Sequence, residues 1–162
     1  MGPSSPVAGD WNNNMKDNWQ IAIDFVIKME GEEYENDSKD TGGETKFGIS
    51  KRAYPNLDIK NLTKEQAVEI YKKDYWETVD GDNIYSPMDI CMFNCAVNCG
   101  VGIAKRLYTN NDWKDFLIAQ IRYYRKCETA KFFLNDWIVR TIELWKLIHY
   151  EILKDWKKEG VI

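Results

Sequence analysis

The segment Met29-Glu30-Gly31-Glu32-Glu33-Tyr34-Glu35-Asn36-Asp37-Ser38-Lys39-Asp40-Thr41-Gly42-Gly43-Glu44-Thr45-Lys46-Phe47-Gly48-Ile49-Ser50 decides how this chain is read. It packs seven carboxylates, at positions 30, 32, 33, 35, 37, 40 and 44, beside a Gly-Gly pair and a Thr-x-x-Gly-Ile run. Crowded carboxylates repel one another, so a plain surface loop gains nothing from them. A site that moves protons does gain, because one acid can donate while a neighbour stays charged.

Upstream, Asp17 and Asn18 offer N-cap oxygens, and no Gly or Pro interrupts residues 19–30. Trp19, Ala22, Ile23, Val26 and Met29 fall on one stripe at helical spacing, which predicts a helix from about residue 18 to Glu30. Gly31 then occupies the position where helices commonly end in a left-handed residue. Glu30 lies on the buried edge of that stripe, where a charge is costly unless paired or protonated. An isolated glutamate there would reach to solvent or pair with Lys28. The glycines, the second carboxylate and Thr45 downstream instead mark Glu30 as the candidate acid. Between Glu32 and Ile49 the pattern predicts a small β-hairpin around Gly42-Gly43, with Tyr34, Thr45, Phe47 and Ile49 alternating along it. Gly48 would let another backbone come close.

Glu30-Gly31, Tyr34, Asn36-Asp37, Asp40, Gly42-Gly43-Glu44-Thr45, Phe47-Gly48-Ile49-Ser50 and Lys51-Arg52-Ala53-Tyr54-Pro55 resemble the glycoside hydrolase family 108 lysozymes. These are N-acetylmuramidases of phage endolysins and bacterial secretion loci. Further on, Ser86-Pro87, Phe93-Asn94, Ala96-Val97-Asn98 and Gly100-Val101-Gly102 resemble the peptidoglycan-binding half that usually follows. The resemblance covers about residues 17–160. Three departures stand out. The family's Glu-Gly-Gly-Tyr is one residue longer here, which makes Glu32 and Glu33 rival acids. Ser38 and Thr41 replace loop prolines, and Asn94 stands where many relatives carry Asp.

The resemblance implies a lysozyme-like, mainly α (α+β) bundle with one small hairpin. It places a catalytic half at 17–85 and a helical peptidoglycan-binding half at 86–162 packed on the first. The reaction implied is hydrolysis of the β-1,4 bond between N-acetylmuramic acid and N-acetylglucosamine. Glu30 would protonate the leaving oxygen, and Asp40 would orient water or steady the oxocarbenium ion. Thr45 would share that water, although as a β-branched residue it could equally just fill a strand. Inversion would put the two carboxyls roughly 6.5–9.5 Å apart, with Asp37 the substitute for Asp40. Candidate substrate contacts are Tyr34, Phe47, Asn94 and Asn98; the two asparagines read slightly better as packing residues. Rival readings are a lytic transglycosylase on the same bond and a non-catalytic wall-binding or structural module.

The remaining pattern is helical. Thr63-Lys64-Glu65-Gln66 is a capping box for a helix to about Trp76, with Ala67, Val68, Tyr71 and Tyr75 inward. Ser86 and Pro87 read as N-cap and first-turn proline of a helix through Cys99 closed by Gly100. That helix is apolar nearly all round and belongs at the centre. A short helix near 103–108 follows, then one capped by Asn111 or Asp112. Asn135 or Asp136 would cap a last helix with Ile138, Ile142, Trp145, Ile148, Ile152 and Trp156 inward. Residues 1–16 are Pro-, Ser-, Gly- and Asn-rich and predicted to lack stable structure, with 1–14 an appended remnant or linker ahead of Met15.

The 162 residues are 44% hydrophobic and 30% charged, with seven Trp, nine Tyr and six Phe. That is ample for a core, with aromatics to spare for a sugar cleft. A net charge of −4 argues against nucleic acid, whose binding needs clustered cations. Cys91, Cys95, Cys99 and Cys127 lack a Cys-x-x-Cys pair and read as small thiols in a reduced compartment. His149 is the single histidine, too few for a zinc peptidase, and Cys127 with His149 has no supporting motif. No metal or cofactor is expected. No apolar run approaches the ~20 residues of a membrane span and no signal sequence opens the chain. The expected partner is bacterial peptidoglycan, reached by a monomer from the cytoplasm with a holin or secretion system. Because chain and wall are both acidic, activity should not fall steeply as salt rises. A steep fall in turbidity clearance with added NaCl would count against this.

Overall fold

A computed structural model describes residues 15–36, 43–109 and 112–158, and side chains within 18–36, 43–109 and 112–150. In chain order it contains α1 (Met15–Glu30), β1 (Thr45–Lys46), β2 (Ile49–Ser50), α2 (Lys64–Tyr71), α3 (Met88–Cys99), α4 (Val101–Leu107), α5 (Trp113–Tyr124) and α6 (Ala130–Lys158). This is the mainly helical, lysozyme-like α+β bundle with one small hairpin that the resemblance implies.

Helix α1 buries Ala22, Ile23 and Val26 and ends at Gly31, whose φ of +81° is a left-handed value that glycine adopts without strain. The capping box is present at α2: Thr63 accepts from Gln66 N–H, and the Gln66 side chain accepts from Thr63 N–H. Beyond Tyr71 the helix widens into a π turn, Lys72–Trp76, with Glu77 N–H donating to the Lys72 carbonyl at 2.9 Å. Helix α3 is buried from Met88 through Ala96 and packs against α1, α4 and α5. Phe93 at its centre meets Trp19, Trp76 and Tyr71 edge-on, with ring centroids 5.4, 5.7 and 6.3 Å away. Such geometry suits the aromatic quadrupole. Residues before and after position 86 share one apolar core.

Some expectations are corrected and others narrowed. The two-stranded pairing turns at Phe47-Gly48: Thr45 pairs with Ser50 and Lys46 with Ile49. Residues 37–42 lie outside the described residues, and the excursion that contains them is closed by an isolated Glu35–Thr45 bridge. Pro87 takes the N-cap position of α3 in place of Ser86; the Asp89 carboxylate accepts from Ile90 N–H at 2.8 Å and serves that first turn. Asp112 caps α5 by accepting from Lys114 N–H, while Asn111 lies outside the described residues. Helix α6 begins five residues before Asn135, because nothing from Ala130 onward breaks a helix and the Thr129 carbonyl receives the N–H groups of Phe132 and Phe133. Its inward face is Arg140, Thr141, Leu144 and Ile148, whereas Ile142 and Trp145 face solvent.

Among the described residues no helix is long and apolar enough to cross a membrane, and no cluster of His, Cys, Asp or Glu could hold a metal ion. All four cysteines are free, Cys91 and Cys95 buried and Cys99 and Cys127 half-buried.

Where α1 meets α3, Asn18 Nδ2 donates to Asp89 Oδ2 at 2.7 Å inside the core. Burial pushes the Asp89 carboxyl up to about 6, against the opposing pull of the Asn18 and Ile90 hydrogen bonds. Because the folded value lies above the unfolded one, Asp89 adds stability below the unfolded value. That contribution is lost as pH rises through about 6. The difference amounts to about 3 kcal/mol at most. Urea titrations should show wild type losing stability relative to Asp89→Asn between pH 4 and 6.5. Parallel curves would exclude Asp89 as the source.

Candidate active site

Glu30 is the last residue of α1, and the left-handed Gly31 turns the chain away behind it. Its side chain is 24% exposed, and its Oε1 accepts from Arg140 Nη1 of α6 at 2.5 Å. The Arg140 Nε donates to Asn94 Oδ1 of α3 at 2.9 Å. Three helices distant in sequence therefore meet through one Arg140 guanidinium.

The hairpin tip closes the other side. Phe47 and Gly48 have φ of +53° and +75°, the two positive values of a type I′ turn. Gly48 is unsurprising there, but Phe47 is a bulky side chain in a strained region. The buried Tyr71 hydroxyl holds it by donating to the Phe47 carbonyl at 2.8 Å. A Cβ on Gly48 would lie 2.7 Å from Glu30 Cγ and 2.7 Å from the Tyr71 hydroxyl. The close approach predicted at Gly48 is thus real, but the visitor is a side chain rather than a backbone. Burial first, and the Glu30 charge second, push the Tyr71 phenol up; it stays a neutral donor. Outward from Tyr71 stands Tyr75, 5.6 Å between ring centroids, and Tyr54 donates to Asp74 Oδ2 at 2.7 Å.

The other expected site residues distribute as follows. Thr45 sits on β1, its backbone paired with Glu35 and Ser50 and its Oγ1 3.5 Å from the Gly43 carbonyl. Asp40 and Asp37 lie outside the described residues. Tyr34 donates to Glu44 Oε1 at 2.8 Å, and that bond raises its phenol. The Phe47 ring is buried, and Asn94 is buried with its oxygen on Arg140. Asn98 lies one turn further along α3 and donates to the Tyr124 hydroxyl at 2.7 Å. Of the rival acids, Glu32 is exposed and reaches Lys64 Nζ at 2.6 Å, and Glu33 is exposed. Sequence reasoning missed Arg140. The available signal was a cation set between Trp137 and Leu144 on an otherwise apolar face.

Residues 23–100 match the family described as glycosyl hydrolase 108. The chain carries a glycosyl hydrolase 108-like region. That region contains Glu30, Thr45, Gly48, Tyr71 and Asn94, whereas Arg140 lies beyond it. It also runs past residue 85, through the whole of α3. The solved structure of Brucella abortus SagA is similar, with 23% identity and a TM-score of 0.66 over 79% of this chain and 91% of that one. At that identity the likeness is one of fold. No curated protein matches the chain.

Gly48→Ala should lose at least about 2 kcal/mol, from the left-handed backbone together with the overlap on Glu30 and Tyr71. Gly31→Ala shares the backbone penalty but meets nothing within 4 Å, so it should lose less. Equal losses in thermal melts of the two variants would show that the contact with Glu30 carries no energy.

Proposed function

We propose that this chain is a peptidoglycan hydrolase of the lysozyme kind, an N-acetylmuramidase with Glu30 as general acid. The observation that carries the reading is the placement of Glu30. It lies within the glycosyl hydrolase 108-like region, half-buried at a helix end, with its stem against Gly48 and one oxygen held by Arg140. Cleaving a glycosidic bond requires a proton for the leaving oxygen while positive charge grows on the anomeric carbon. With Oε1 held by Arg140, Oε2 is the oxygen that delivers the proton. Once the proton has gone, the same guanidinium stabilises the carboxylate left behind.

In this reading Asp40 orients the attacking water, with the Thr45 hydroxyl as second partner, and the anomeric centre inverts. Residues 17–85 carry the acid. Residues 86–162 complete the site through Asn94 and Arg140 and contribute to glycan binding. The substrate is the bacterial wall, and the biological role is that of an endolysin released by a holin or a secretion system. Glu32 and Glu33 are weaker candidates for the acid, since both stand at the surface.

Glu30→Gln should lose about 10²–10⁴-fold or more in activity on purified peptidoglycan, with an unchanged far-UV CD spectrum. Glu32→Gln and Glu33→Gln should stay close to wild type. Soluble products should carry reducing ends, whereas 1,6-anhydro ends would assign the chain to the transglycosylases. An active Glu30→Gln beside an inactive Glu32→Gln or Glu33→Gln would move the acid by two or three positions. Binding to insoluble wall without release of fragments by wild type would make the chain a non-catalytic module.

A further inference from the structure

Helix α6 is apolar on two faces, and only one of them meets the bundle. Most of the large hydrophobic side chains exposed among the described residues lie on it: Phe132 at 69%, Phe133 at 48%, Val139 at 47%, Ile142 at 45%, Trp145 at 42% and Tyr150 at 67%. Ile118 of α5, at 46%, adjoins them. Between the two helices Ile118 and Ile121 face Ile142 and Trp145 across a groove of about 210 Å³ walled almost wholly by carbon. Ile138, Ile142, Trp145 and His149 are spaced four, three and four apart, and the sequence continues that spacing to Ile152 and Trp156. This is the alternation by which one helix seats against another.

We propose that this face joins two copies of the chain, α5 and α6 of one packing on α5 and α6 of the other about a twofold axis. Charge selects the occupant. The stripe carries Lys131 and Lys146, Lys146 is paired with Glu143 at 2.6 Å, and Lys114 at the groove's edge stands 4.0 Å from Asp112. An anionic wall polymer or an anionic lipid surface needs free cations, and a sugar needs hydroxyl-binding groups; the groove offers few of either. A second copy offers the same neutral carbon surface. The net charge of −4 resists approach elsewhere, so this neutral face is where two copies can meet.

The size approaches what a dimer needs. From Phe132 to Tyr150 α6 runs roughly 27 Å at 1.5 Å per residue, and the 12 residues of α5 add roughly 18 Å beside it, each helix about 10 Å wide. That is roughly 450 Å² of flat footprint per copy and about 900 Å² for two, close to the lower bound for a specific interface before surface relief is counted. Closed twofold pairing is the commonest way to cover such a patch, which is of the size that marks an interaction site on a protein surface.

The test is light scattering on the full chain across about 1 to 100 µM. Wild type should rise with concentration towards twice the 19.0 kDa chain mass. Ile142→Glu and Val139→Glu should remain at the single-chain mass at every concentration while keeping the wild-type CD spectrum. Val139 decides the matter if Ile142→Glu fails to fold. Wild type at the single-chain mass throughout would overturn the proposal, as would both folded variants associating like wild type. A monomeric wild type that co-sediments with phosphatidylglycerol vesicles would overturn it as well, and would give the face to lipid. Mass is read without substrate, so this outcome is independent of whether Glu30 is a general acid.

Discussion

One ion pair organises the molecule. Glu30 ends the first helix and Arg140 lies well inside the last, 110 positions away, yet the guanidinium rests on the carboxyl with its side chain only 10% exposed. A charge taken that far from water is costly unless its partner is in place; stranding one partner of a buried pair costs about 3–5 kcal/mol. Helix α6 therefore cannot slide along the end of α1 without leaving a charge alone. Asn94 of α3 makes the third corner. Its Nδ2 and the Arg140 Nη2 are buried with no hydrogen-bond partner among the described residues. An apolar triplet would hold the three helices at lower cost, so stability alone does not account for this network.

The hairpin obeys the same constraint from the opposite side. Its two residue pairs are too few to hold a turn with Phe47 at positive φ. The Tyr71 hydroxyl supplies what the strands lack, fixing the Phe47 carbonyl and thereby placing Gly48 against the Glu30 stem. Glu30 is thus positioned by α6 through a charge and by the hairpin through the missing side chain of a glycine. The wide π turn after Tyr71 follows from where the chain must go next, with Tyr75 beside the Tyr71 ring and Trp76 buried against Phe93.

What could be read from the sequence was local. The end of α1 at Gly31, the Thr63 capping box and the all-round apolarity of α3 depend on residues within a turn or two of one another, and each is found. The misreadings arose where a distant partner decided the outcome. The turn at Phe47-Gly48 carries no such local signal at Phe47; Tyr71, 24 positions on, stabilises it. Arg140 was hidden by Asp136 and Glu143, which stand four before and three after it and give it an ordinary reading as a helix-surface partner. On α6 two apolar stripes overlap in sequence. The one containing Ile142 and Trp145 is the more hydrophobic, so periodicity favoured it for the core.

The exchange of faces on α6 follows from the ion pair itself. To bring Arg140 to Glu30, the helix must turn Arg140 and Thr141 inward with Leu144 and Ile148. The 3.6-residue period then carries Ile138, Ile142 and Trp145 outward. A single helix cannot present both sets to one core. The proposed general acid and its guanidinium belong to the same chain, so two chains pairing through the outer stripe would leave the carboxyl and its partners untouched. Chemistry and association can therefore occupy opposite sides of one helix. The inner face that carries Arg140 and the apolar outer face are two consequences of how that helix is rotated about its axis.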